Sequence, residues 1–258
     1  NSISAKVEDL KDTGYVTPKE MGQNMTANQI YESGKTIAGE LTKIGINLNL
    51  APVADLASDQ NPSYAMRCLG SDADGVADLL DDFVSGMREG GLSVTLKTFP
   101  GIGNVSADVT ESIAENTDSL MTIRDTNFVP YASGIQAGAD CVMVSNAAYS
   151  KLTVKKVPAF MSQDIVTKLL REELGFDGIV MTSPLNDNVI ENNYTNEFAV
   201  VEAVKAGCDL IVLPGNFKEC YEALITAVEE GRIDEKVINT SVRRILQNKI
   251  QRGILVLE

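Results

Sequence analysis

Apolar positions along this chain switch repeatedly between two periods. From Asn28 to Lys43, the residues Ile30, Tyr31, Gly34, Ile37, Ala38 and Leu41 recur at helical spacing, and Gly45 follows as a terminating glycine. Ile46 to Val53 then reads as an apolar strand ending in Ala54-Asp55. The alternation repeats: helix from Ala73 to Glu89, strand from Leu92 to Lys97, helix from Leu120 to Ala137, strand from Cys141 to Ser145. It continues with helix Ser162 to Leu174, strand Gly178 to Thr182, helix Glu197 to Ala206 and strand Cys208 to Pro214. Two helices close the chain, from Phe217 to Glu230 and from Asp234 to Arg252, the second with an apolar stripe of Val237, Val242, Ile245 and Ile250. The lead from Asn1 to Asn24 is polar, with a short strand expected at Ile3 to Val7.

Short apolar strands alternating with amphipathic helices predict a parallel sheet covered by helices. The 258 residues suit one α/β domain, 1–258, with no repeat, low-complexity tract or linker. A doubly wound sheet would place a glycine-rich phosphate turn after its first strand, and none is present. The stretch from Phe99 to Thr117 is a long loop, which in a compact domain points to function.

Composition narrows the function classes. A net charge of −14 disfavours nucleic acid and anionic membrane surfaces as partners. No apolar run approaches the ~20 residues that span a bilayer. The four cysteines, Cys68, Cys141, Cys208 and Cys220, show no C-x-x-C spacing, so neither a metal nor a redox cofactor is expected. Cys141 and Cys208 read as buried thiols at strand starts. The compartment stays open, cytoplasmic or secreted.

Several blocks carry a family resemblance. Lys97-Thr98-Phe99-Pro100-Gly101-Ile102-Gly103 resembles the K-H-F-P-G-H-G signature of glycoside hydrolase family 3. Gly45 to Asp55 resembles the third barrel strand of its β-N-acetylhexosaminidase branch, and Asn61-Pro62 through Arg67 to Asp72 resembles N-P…D-R-S-F-G-x-D. Leu170 to Gly178, Ala206 to Gly215 and Ser241 to Leu246 also match. The resemblance implies a (β/α)8 TIM-barrel-like fold with its site at the C-terminal ends of the strands. Five strands are legible here, so the barrel is expected to lack its first strands, with an N-terminal segment or a partner covering the open edge.

The catalytic positions of the family are substituted. The chain has no histidine. A retaining glycosidase needs a carboxylate nucleophile and a general acid. The family nucleophile aligns with Ser183 in Thr182-Ser183-Pro184-Leu185, and the D-x-H acid run aligns with Asp108-Val109-Thr110. A serine stays protonated without a base, and threonine does not titrate near neutrality. The resemblance assigns Arg67, Lys97, Asn146 and Asp55 to sugar binding. Three functions remain open: a catalytically degenerate module that binds a sugar such as one containing N-acetylglucosamine, a hydrolase using replacement carboxylates among Asp108, Glu111 and Asp187, or a purely structural unit. Asp177 falls on the opposite rim, where residues serve stability.

Overall fold

The computed structural model describes residues 16–256; the strand expected at Ile3 to Val7 lies outside them. Two short-range signals start the described chain. Thr17 with Glu20, and Thr26 with Gln29, each form a reciprocal capping box, opening α1 (Pro18–Asn24) and α2 (Ala27–Lys43). In chain order there follow β1 (Leu48–Asn49), α3 (Pro62–Ala65), α4 (Ala73–Glu89), β2 (Ser93–Phe99), β3 (Glu115–Asn116), α5 (Leu120–Asp125) and α6 (Phe128–Gln136). Then come β4 (Cys141–Val144), β5 (Ala148–Tyr149), a π-type helix over Asp164–Glu173, β6 (Ile179–Thr182), α7 (Asn188–Glu191), α8 (Asn196–Ala206), α9 (Phe217–Glu229) and α10 (Glu235–Gln251).

The main sheet has the order β1-β2-β4-β6, all parallel. A parallel bridge from Met181 to Leu210 extends it by one position. Among the described residues this is an arc of a barrel wall, open at both edges. Strand alternation sorts side chains between two layers. Val94, Leu96, Val142, Val144 and Val180 face the large core shared with the helices. Cys141, Met143, Ile179 and Met181 face inward, where Leu48, Leu210, Val212 and Ile245 of α10 pack on them.

Helix α10 clasps the N-terminal ends of the strands. Its Asn248 bonds Ser93 and Asp140, and Arg252 donates to Asp140 at 2.5 Å. Ser241 and Arg244 reach Asp209, which also receives Arg171 at 2.6 Å. Arg244 pairs as well with the exposed Asp177, which therefore sits on the rim expected for it.

Three expectations need correction. Leu120 to Ala137 is two helices, because Pro130 in a continuous helix would clash with the carbonyl of Thr126, and the chain breaks at Thr126–Asn127. Cys208 to Pro214 is not a strand: the Asp209 carboxylate occupies the Val180 N–H, and Leu213 turns to a φ of 45°. The long loop after β2 contains β3, which pairs in parallel with β5 as a separate two-residue ladder.

Candidate functional site

The residues named from the sequence gather at the C-terminal ends of adjacent strands. Lys97 and Thr98 lie near the end of β2, Asn146 two residues beyond β4, and Ser183 one residue beyond β6. Asp55 follows Val53, which bridges to Lys97. The loop that follows β2 is held by close backbone approach. A Cβ on Gly103 would fall 1.9 Å from the Leu56 carbonyl oxygen, and Gly101, at φ +119°, packs on Asn127. Tyr149 donates its hydroxyl to the Gly101 carbonyl at 2.9 Å.

Asp55 is completely buried and engaged by the protein itself. It accepts from the hydroxyls of Tyr64 (2.7 Å), Tyr131 (2.9 Å) and Thr98 (2.9 Å). The backbone N–H groups of Thr98 (3.1 Å) and Ile102 (3.3 Å) complete its shell. Burial pushes its carboxyl above the ordinary range, and these donors oppose that rise. Thr98, at the first signature histidine position, thus supplies both a hydroxyl and an N–H to the carboxylate. Ile102, at the second, is buried in the core. Tyr64 and Tyr131 were not legible as site residues, since isolated tyrosines in helical stretches carry no spacing signal.

Lys97 is 8% exposed and has no hydrogen-bond or ion-pair partner among the described residues. Burial, then the neighbouring Arg67 guanidinium, lowers its pKa to about 8, against the weaker opposing pull of the Asp55 carboxylate. Arg67 lies over the Tyr64 ring at 5.2 Å. Two unpaired cations therefore share one side of the site. Asn146 is buried; its amide donates to Asp187 at 2.8 Å, while its carbonyl oxygen finds no donor.

Ser183 is also buried, and its hydroxyl donates to the Val144 carbonyl at 2.9 Å. Its proton is tied to a backbone acceptor rather than to a basic side chain. Asp108 accepts from the N–H and hydroxyl of Thr110 at 2.8 and 2.7 Å. The Thr110 carbonyl receives the Val189 N–H at 2.8 Å, and Asn188 donates to Glu111 at 2.8 Å. These bonds dock the loop after β2 on the loop after β6. Asp187 is half-buried, and burial, then Asp108 and Glu111, holds its carboxyl above the usual range, against the lowering bond from Asn146. All four cysteines are free and buried, and no His/Cys/Asp/Glu group among the described residues is arranged to hold a metal.

The family follows from comparison with known proteins. The glycosyl hydrolase family 3 N-terminal domain model matches residues 6–248. The chain belongs to glycoside hydrolase family 3. It is 32% identical over 183 residues to a beta-hexosaminidase of Xylella fastidiosa, covering 71% of this chain and 54% of that protein. It is 27% identical to a beta-N-acetylglucosaminidase/beta-glucosidase of Cellulomonas fimi over 98% of this chain and 48% of that one. Among solved structures, a family 3 beta-N-acetylglucosaminidase from a Paenibacillus species superposes with a TM-score of 0.89 at 33% identity, covering 93% of this chain and 48% of the other. A beta-N-acetylhexosaminidase from Beutenbergia cavernae gives 0.83 at 30% identity, over 92% and 71% of the two chains. The chain spans about half the length of the curated relatives it matches. The fold is that of the family's TIM-barrel-like N-terminal domain, of the hexosaminidase-like branch, with its wall here an open arc. No described helix is long and apolar enough to cross a membrane.

Proposed function

We propose that this chain is a catalytically degenerate family 3 module that binds a sugar at the strand C-termini without cleaving it by the family's route. The observation that carries this reading is Ser183. Where the family places a carboxylate, a neutral hydroxyl donates to the Val144 carbonyl. Such a group offers neither the nucleophile nor the negative charge that an oxocarbenium-like transition state requires. Thr110 in the acid/base run accompanies it. The binding side of the reading rests on Lys97, a largely buried lysine with no hydrogen-bond or ion-pair partner among the described residues, and on the Asn146 carbonyl, which is buried without a donor. Sugar hydroxyls supply both acceptors and donors. The relatives' names point to N-acetylglucosamine-containing sugars as the first ligands to try. The reading also keeps a covering segment or subunit for the open arc.

One observation favours a second reading. Asp187 has a raised carboxyl pKa and an orienting bond from Asn146, which suits a general acid. Hydrolysis of a nitrophenyl N-acetylglucosaminide separates the two. The expected rate equals that of a Ser183→Ala control; turnover above the control that is lost in Asp187→Ala would replace the first reading with the second.

A further inference from the structure

The side of the site near β6 is acidic and unneutralised. Asp108, Glu111 and Asp187 are brought together from two loops, and none forms an ion pair with a lysine or arginine among the described residues. A solvated acidic cluster would mean nothing by itself. Here a second observation adjoins it: Asn146, 1% exposed, donates its amide to Asp187 and leaves its carbonyl oxygen buried without a donor. An unmet buried acceptor is costly to the fold, and a ligand donor removes that cost.

The opposite side carries the reverse charge. Lys97 and Arg67, toward β1, are cations that form no ion pair among the described residues, although the buried Asp55 carboxylate lies close enough to Lys97 to favour its charged form. The site is thus polarised along the arc, with donors needed at one end and acceptors at the other. We infer that it selects a hexosamine with a free amine, its ammonium seated between Asp187 and the Asn146 carbonyl and its hydroxyls turned toward Lys97 and Arg67. An ammonium presents three donors and no acceptor, so it serves both oxygens and offsets the mutual repulsion of the carboxylates. An acetamido group offers one N–H, and its carbonyl and methyl would face the same carboxylates. A bare metal ion fits less well, since the carboxylates are not arranged around a common centre.

This inference rests on the sugar-binding reading of the same site. Calorimetry with glucosamine, N-acetylglucosamine and glucose on the whole chain tests it. The expected result is glucosamine binding at least ten-fold tighter than either comparison sugar. Asp187→Asn abolishes that preference and the exposed Glu111→Gln weakens it two- to three-fold, with circular dichroism verifying that both variants fold. Equal or tighter binding of N-acetylglucosamine overturns this inference alone, as does a preference that survives Asp187→Asn. Binding of none of the three sugars removes the sugar-binding reading together with it.

Discussion

Lys97 and Asp55 show how differently two charged groups can be buried within one site. Asp55 is surrounded by five protein donors, so its removal strands buried hydroxyl and N–H groups. Asp55→Ala is expected to cost about 3–5 kcal/mol, read from urea unfolding. Lys97 has no such shell. Its charged form is penalised in the folded state, and removing it relieves that penalty. Lys97→Met is expected to stabilise the fold by about 1–3 kcal/mol while weakening sugar binding. The sign with pH follows from the depressed pKa. Below about 8 the lysine is protonated in both states and the difference between variant and wild type is constant. As pH rises from about 8 toward 10.5 the unfolded wild type holds more protons than the folded one, so wild type gains and the difference closes. A difference that widens over that range would show that Lys97 has an anionic partner.

At the scale of elements, α2 and α4 meet through glycine. A Cβ on Gly86 would fall 2.0 Å from the Tyr31 carbonyl, and one on Gly34 would fall 2.6 Å from that of Phe83. Gly86→Ala is expected to lower stability by about 2 kcal/mol or more, seen as a drop in Tm, because neither helix can move without disturbing the sheet beneath. The amphipathic period of both helices was plain in the sequence, and they appear within a residue or two of their expected limits. Their closeness was not, since glycines inside helical patterns do not announce what they touch. The same contrast holds at the site. Strand ends and signature residues placed Lys97, Asn146 and Ser183 together. The tyrosines holding Asp55 and the docking of Thr110 on Val189 depend on contacts between distant segments. The strand expected at Cys208 to Pro214 failed for a related reason: its apolar run was real, but the Asp209 side chain took over one ladder bond.

Over the whole molecule, the open arc is held from below by α10 and the Asp140 and Asp209 clusters. The inward layer, which a closed barrel would cover with facing strands, is instead covered in part by Ile245. The four buried cysteines sample this architecture unevenly. Cys68 lies beside the Asp55 network, Cys141 in the inward layer, Cys208 after α8 and Cys220 on α9. Burial raises every one of these thiols, Cys141 to about 12, so none is a ready nucleophile in the native state. Ellman's reagent is expected to label none quickly in buffer and all four in denaturant; fast native labelling of Cys141 would mean that the inward layer opens to solvent. The chain thus carries its own set of timed reporters. Mass-resolved alkylation along a urea gradient would disclose the sequence in which its layers come apart, with Cys220 on the peripheral helix surrendering first.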